Sequence, residues 1–421
     1  MDVLKYRRRT APSAPKICRE STEEDHVFKN AYIPYGGYYS SPFARWQGSL
    51  QSVHSLPLAG ATATRWLATK AWDPAIIDYV NFGSTVAQPY SFWGGPYAAA
   101  LIGADRVPGV WISQACSTST TCIYQAAMAV EIGSAGLVFN LMADRTSNGP
   151  HTIWPNPTGP GGQVDQENWL MDNFAGYPWA PMAMVATAEE VSKEAGITRE
   201  ECDAVALRRY EQYMDGMADD RAFQKRYMFP IEYQVSKKKT LVLEADEGIT
   251  PSTAEGLAGL RPVLPDGVLS YGAQTHPADG NSAVVVTTRD RARELGGDGP
   301  EVQIVSFGYS RAKKYFMPAA PVPAARMALE RAGLAIGDMK AIKTHNPFAV
   351  NDVYMAKEMN LDMLTLNNYG SPLVYGHPQG PTAGRCVIEL IEELAILGGG
   401  VGLFTGCAAG DTGAALVIKV G

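Results

Sequence analysis

Two cysteines and two histidines carry the chemistry most visible in this sequence. His345 lies in Thr344-His345-Asn346-Pro347-Phe348, His377 in Tyr375-Gly376-His377-Pro378-Gln379-Gly380, and Cys407 in Thr405-Gly406-Cys407-Ala408-Ala409-Gly410-Asp411. Far upstream, Cys116 heads the small-residue run Ala115-Cys116-Ser117-Thr118-Ser119. The three C-terminal residues are spaced by 32 and 30 positions, too far to be neighbours on one helix or hairpin. Each occupies its own turn-rich segment, so the four groups meet only if the fold brings several loop tips together. A thiol nucleophile, imidazoles to polarise it and a second thiol to move protons would form a site that breaks carbon–carbon bonds by acyl transfer.

The elements that must position these groups alternate short apolar runs with helical stretches from Val27 onward, the pattern of an α/β architecture. Residues 110–113 read as a strand, 117–132 as a helix ended by Gly133, and 137–142 as the next strand. The helix carries Ala126, Ala127, Met128, Ala129 and Val130 around its circumference, so burial on all sides is expected. Cys116 then stands at a helix N-terminus, where the dipole favours a thiolate. From about 144 to 262 glycines, prolines and aromatics accumulate, with Thr198-Arg199-Glu200-Glu201 as a capping box. This stretch reads as an inserted loop domain lying over the site. A second α/β half is expected from 281 to 421: a strand at 284–287, helices at 323–331 and 385–397, and strands at 401–404 and 414–420 joined by the Cys407 turn. The first half is expected to span 27–280, and residues 1–26 read as a polar extension.

At 421 residues the chain is long enough for two or three packed units. Apolar residues at 46% and charged residues at 19%, with 42 Gly and 28 Pro, describe a loop-rich globular protein. A net charge of −7 argues against a nucleic-acid partner. The one basic run, Lys5-Tyr6-Arg7-Arg8-Arg9, reads as a solvated tail. No segment reaches the roughly 18 apolar residues of a membrane span, and Thr10-Ala11-Pro12-Ser13 after the arginines is not the apolar core of a secretory signal. Six cysteines are too few for a disulfide scaffold, so free thiols in a cytoplasmic setting are expected. No close Cys-x-x-Cys or His-x-x-x-His pair occurs, and no metal is expected.

The order of these segments resembles the thiolase family over almost the whole chain. The resemblance rests on Cys116 in a strand-to-helix turn, Gly376-His377-Pro378-Gln379-Gly380 preceded by Asn367 and Gly370, and Cys407 in a glycine-rich C-terminal segment. Asp246-Glu247-Gly248, Leu260-Arg261-Pro262-Val263 and Asp266-Gly267 agree as well. It implies a five-layered αβαβα fold from two similar α/β halves, and coenzyme A as co-substrate with no permanently bound cofactor. It implies Cys116 as nucleophile, His377 as its base, and Cys407 as the acid/base that protonates the departing enolate and later deprotonates coenzyme A. Alignment on Phe348 puts His345 in the oxyanion role, with Asn346 adjacent and chemically able. The backbone N–H of Ala409 would serve an oxyanion hole, and Thr275 falls where the family contacts the pantetheine arm, although a plain surface contact suits Thr275 nearly as well.

The expected reaction is thiolytic cleavage of a 3-oxoacyl-CoA. Trp154, Trp169, Tyr177 and Trp179, with Tyr90, Phe92, Trp93 and Tyr97 upstream, would suit a bulky or aromatic acyl group; ordinary core packing is the alternative. The divergence from housekeeping thiolases resembles the thiolase-like subunits of bacterial aromatic or steroid degradation, and among these implies benzoylsuccinyl-CoA as the specific substrate. The resemblance further implies a homodimer core and a possible small zinc-ribbon/OB-fold partner subunit. A condensing enzyme or retro-aldolase of the same fold, or a non-catalytic scaffold for a partner, are the competing functions.

Overall fold

The computed structural model describes residues 27–421; the expected extension 1–26 and Cys18 lie outside them. Strands β1 (Tyr38–Ser40), β2 (Tyr79–Gly83), β3 (Gly109–Ile112), β4 (Leu137–Arg145) and β5 (Ala278–Thr287) form the first half of the sheet. Strands β6 (Val302–Arg311), β7 (Ala341–His345), β8 (Gly400–Ala408) and β9 (Thr412–Val420) form the second. The short pair Tyr32–Ile33 bridges β5 and β6, so both halves belong to one 11-stranded sheet.

The halves repeat each other in topology. In the first, β2 runs parallel to β4, β4 antiparallel to β5, and β5 antiparallel to β1. In the second, β7 runs parallel to β8, β8 antiparallel to β9, and β9 antiparallel to β6. Of the nine longer strands of this sheet only β3, parallel to β2 at its end, lacks a counterpart among the described strands; the two-residue strands Tyr32–Ile33 and Ala44–Arg45 stand outside the repeat.

Strand alternation builds the layers. Val138 and Met142 of β4 and Val284 and Val286 of β5 face a central core, shared with Phe404, Leu416 and Ile418 of the second half. That core is filled by helices α2 (Thr118–Glu131) and α7 (Thr382–Ile396). The intervening residues Phe139, Leu141, Ala143, Ala283 and Val285 point the other way, onto α1 (Ser55–Thr69). Likewise Leu403, Ala415 and Val417 pack on α5 (Pro321–Ala332). The five layers are therefore helix, sheet, paired helices, sheet, helix.

Between β4 and β5 no strand joins the large sheet; the segment holds two isolated hairpins and helices α3 (Met184–Ala195) and α4 (Arg199–Arg221). Thr198 caps α4 as expected, with the reciprocal Glu201 bond. Helix α6 (Ala349–Met359) and α3 share a further core with Phe316, Leu373 and Cys407.

Three expectations need correction. Residues 278–287 are one strand paired along its length with β4, so it closes the first half and the boundary falls after Thr287; strand pairing is a long-range property that a local apolar run does not report. Helix α2 is not buried all round, because Gln125 is exposed and Thr121 and Met128 are half-buried. Cys407 lies inside β8, opposite Gly413, and the turn is the following Ala409–Asp411.

Candidate active site

Cys116 occupies a single 3₁₀ turn, Ala115–Ser117, between β3 and α2. Ala115 has φ 45, a left-handed conformation that costs a non-glycine residue about 1–3 kcal/mol. The turn is held by Thr118, whose Oγ1 donates to Ala115 O at 2.7 Å and accepts from Gln114 N at 2.9 Å. Thr85 Oγ1 donates to the same carbonyl at 3.1 Å. This over-determined turn lifts the sulfur off the end of the strand and toward the second half of the molecule.

His377 lies in the loop between the short helix Pro372–Tyr375 and α7. Gly376, at φ 88, adopts a backbone that side chains avoid, and a Cβ there would lie 2.6 Å from the His276 ring. His377 N donates to His276 O at 2.9 Å, and Nδ1 sits 2.7 Å from Thr382 Oγ1. With Nδ1–H donating to that hydroxyl, Nε2 keeps its lone pair toward Cys116 Sγ, 3.1 Å away. Gln379, itself at φ 67, places Oε1 3.2 Å from the same sulfur.

His345 is the last residue of β7 and pairs in register with Gly406 of β8. A Cβ at Gly406 would stand 2.7 Å from His345 Cβ, so glycine is required for the strands to meet here. The parallel register sets Cys407 directly beside this pair. The His345 and His377 rings lie 4.3 Å apart, centroid to centroid. His345 is 1% exposed and neither of its ring nitrogens has a protein partner. Its position is instead fixed through both neighbours. Thr344 Oγ1 donates to Asp352 Oδ1 at 2.5 Å and Asn346 Nδ2 to Asp352 Oδ2 at 2.6 Å. Asn367 Nδ2 and Arg209 Nε add to Oδ2 at 3.2 and 3.0 Å. Asp352 and Arg209 are both fully buried.

Asn346 is therefore turned away from Cys116: its amide N–H binds Asp352 and its Oδ1 accepts from Leu373 N at 3.3 Å. Thr275 is half-buried, with its hydroxyl donating to Pro372 O at 2.5 Å and its N–H to Pro347 O at 2.7 Å, next to both histidine-bearing loops. Ala409 directs its backbone N–H at Cys116 sulfur. Cys407 is fully buried and accepts from Asn351 Nδ2 at 3.4 Å.

The electrostatics favour a resting site of neutral groups. Burial pushes the Cys116 thiol up to about 12, against the lowering effect of the Ala409 N–H. The helix N-terminus expected to favour a thiolate is thus outweighed by desolvation. Burial likewise raises Cys407, and the neighbouring Cys116 sulfur adds to the rise. Burial lowers His345 to about 3. His377 is lowered well below the usual range by burial and then by His345. Asp144, whose Oδ2 accepts from Gly380 N at 2.7 Å, is raised to about 7 by burial. Such a site is poised for nucleophile and base to ionise together rather than separately.

The fold unites Cys116, His345, His377, Cys407 and the Ala409 N–H. Sequence reasoning did not assign Gln379, Thr382, Asn351, Asp144, Asp352 or Arg209. Gln379 had a signal, a polar amide one residue past His377-Pro378; the others are recognisable only once the strands are paired. Of the aromatic residues, Trp169 donates Nε1–H to Thr85 O at 3.0 Å, and Thr85 in turn holds Ala115 O through its hydroxyl. Trp154, Trp179, Phe92 and Trp93 face solvent, and Tyr177 accepts from Arg311 at 2.6 Å.

Comparison with known proteins agrees with this geometry. Residues 37–290 match the thiolase N-terminal domain and residues 299–420 the thiolase C-terminal domain. The chain is 30% identical over 396 residues to an acetyl-CoA acetyltransferase of Syntrophomonas wolfei, covering 91% of this chain and 98% of that one. It is 26% identical over 386 residues to the human mitochondrial 3-ketoacyl-CoA thiolase, covering 90% and 96%. The crystal structure of the Bacillus anthracis acetyl-CoA acetyltransferase superposes with a TM-score of 0.86 at 27% identity, covering 94% of this chain and all (100%) of that one. With both domains matched and the reactive groups gathered between its halves, the chain belongs to the thiolase family of acyl-CoA acyltransferases.

Proposed function

We propose that the protein cleaves a 3-oxoacyl-CoA with coenzyme A through an acyl-Cys116 intermediate. The observation that carries this reading is the 3.1 Å approach of His377 Nε2 to Cys116 Sγ, with a His345 ring nitrogen within 4.8 Å of that sulfur and Cys407 near enough to interact with it electrostatically. His377 takes the thiol proton as Cys116 sulfur attacks the 3-oxo carbon. The C2–C3 bond breaks, and its electron pair becomes an enolate on the departing thioester. Cys407 gives its proton to C2, and the C1–C2 fragment leaves as its own CoA thioester while the shortened acyl group stays on Cys116, to leave as the second acyl-CoA when coenzyme A attacks. The Cys407 thiolate then deprotonates coenzyme A, whose sulfur attacks the Cys116 thioester. The Ala409 N–H, which acts on the Cys116 sulfur, would donate to the resulting oxyanion, and His377 returns its proton to Cys116. His345, its nitrogens unspent on the protein, would donate to the enolate oxygen; a donor of this kind typically contributes about 2.7–4 kcal/mol. Each proton taken is given back, so coenzyme A serves as co-substrate and no permanent cofactor takes part.

The acyl group is a finer part of the proposal. Trp169, bonded to the Thr85 that holds the Cys116 turn, supports a bulky or aromatic group, benzoylsuccinyl-CoA being the specific candidate; the solvent-facing aromatics lend it nothing. A homodimer is supported by the free edge of β3, with Val110, Phe92 and Trp93 exposed nearby. The role of a small zinc-ribbon/OB-fold partner is decided by co-purification from the native source. A cytoplasmic setting is supported by the sparse, unpaired cysteines; no helix among the described residues is long and apolar enough to cross a membrane.

The test is incubation with acetoacetyl-CoA and with aryl 3-oxoacyl-CoA substrates, followed by mass analysis of the Cys116 peptide. An acyl adduct that disappears on adding coenzyme A is expected. No adduct with any substrate, alone or with a co-purified partner, would refute thiolysis and favour a scaffold; an adduct that resists coenzyme A but accepts a carbon nucleophile would favour a condensing enzyme.

A further inference from the structure

The absence of closely spaced cysteine and histidine pairs argues against a metal site in the sequence, yet the fold assembles one set of ligands from three distant segments. Cys116 Sγ and one ring nitrogen each of His345 and His377 lie within 4.8 Å of one another. A tetrahedral zinc ion takes thiolate sulfur at about 2.3 Å and imidazole nitrogen at about 2.0–2.1 Å, which sets neighbouring ligand atoms about 3.5 Å apart. The 3.1 Å between His377 Nε2 and Cys116 Sγ falls near that value. Small side-chain rotations therefore suffice to close the three atoms on one ion.

Two further features fit a ligand. The His345 ring is 1% exposed and both of its nitrogens are unpartnered, so its lone pair is unspent and aimed into the cluster. His377 has Nδ1 on Thr382 Oγ1 at 2.7 Å, the kind of outer contact that orients a metal-binding imidazole and fixes its tautomer. Cys116 is partly exposed, which leaves a route in.

We propose that this cluster is also a binding site for a thiophilic divalent cation, Zn²⁺ above all, held by Cys116 Sγ and one nitrogen each of His345 and His377, with water in an open fourth position. On binding, the Cys116 S–H bond breaks, its proton leaves to solvent and a sulfur–zinc bond forms, with no change of oxidation state. Metal occupancy and acylation exclude each other because both use the same sulfur lone pair. The bound ion therefore acts as a reversible block on the nucleophile. The inference shares the cluster with the proposed thiolysis but does not need that reaction.

The test is titration of the metal-free full-length protein with Co²⁺ and then Zn²⁺. One equivalent of Co²⁺ should give a thiolate-to-cobalt charge-transfer band that Zn²⁺ abolishes, and Zn²⁺ should protect Cys116 from iodoacetamide. The band should vanish in Cys116→Ser and Cys116→Ala and persist in Cys407→Ala, with circular dichroism confirming that each variant is folded. Thr382→Val should weaken Zn²⁺ binding about tenfold, and His345→Ala by at least about as much. A wild-type protein without the band, a band that survives in either Cys116 variant, or unchanged affinity in His345→Ala would overturn the proposal. Acyl-Cys116 formation measured in chelator on the same sample separates the two readings: it survives if only the metal site is wrong, and fails with the band intact if only thiolysis is wrong.

Discussion

Asp352→Asn is the perturbation that most directly examines how the site is held. Asp352 accepts four hydrogen bonds, from Thr344 Oγ1, Asn346 Nδ2, Asn367 Nδ2 and Arg209 Nε, and both it and Arg209 are fully buried. An asparagine can keep its carbonyl at the Oδ2 position, facing three donors, and turn its NH₂ toward Thr344, whose hydroxyl can rotate to accept. Shape and bond count thus survive, and the loss is mainly the charge opposite Arg209. Removing one partner of a buried ion pair costs about 3–5 kcal/mol, because the other charge stays unneutralised. Burial already depresses Arg209, with Asp352 as the chief opposing influence. Urea unfolding of Asp352→Asn, Arg209→Met and the double variant Arg209→Met/Asp352→Leu measures this directly. Each single variant should lose about 3–5 kcal/mol and the double variant much less, since no lone charge remains. Turnover should behave differently: His345 has no side-chain anchor of its own, and a displacement of about 1 Å costs roughly 10²-fold in rate. The stable double variant should therefore remain slow. Additive destabilisation in the double variant, or full turnover with Thr344 and Asn346 released, would refute the argument that this carboxylate positions His345.

Three further outcomes follow from the same geometry. Cys407→Ser should abolish thiolysis yet leave iodoacetamide modification of Cys116 intact, because Cys116 is paired with His377 and not with Cys407; equal loss of both would contradict the division of labour. With the Cys116 thiol held up to about 12, its alkylation rate should climb about tenfold per unit from about pH 7 to about pH 9. A plateau near neutrality would instead reveal a preformed thiolate–imidazolium pair. His345 is held at about 3 against an ordinary 6.5, so below pH 6.5 the unfolded chain binds a proton that the folded chain refuses. Its contribution to stability is complete above pH 6.5 and drains away as the pH falls toward 3. The urea midpoint of wild type should therefore drop more steeply than that of His345→Asn between about pH 7 and about pH 4; parallel curves would show that the ring is not held neutral.

Much of this arrangement was legible in local sequence. The strand-to-helix turn at Cys116, the capping box at Thr198 and the αL glycines Gly133 and Gly333 that close helices depend on a few adjacent residues, and they appear where chain chemistry dictates. The types of the four reactive groups likewise state what chemistry is available. What the chain could not declare is which strands pair. The β5 segment reads as the opening of a second half and is the closing strand of the first, because register is set by distant partners. Cys407 reads as a turn residue and is a strand residue whose neighbour pairs with His345. The choice between His345 and Asn346 likewise waits on Asp352, a carboxylate seven positions beyond His345 and one turn into the next helix, which draws Asn346 away from the sulfur and leaves the imidazole facing it. Residue types set the reaction that this chain can perform. Tertiary structure alone decides which side chains share a cavity, because burial and pairing, not spacing along the chain, determine where each polar group finds its partner.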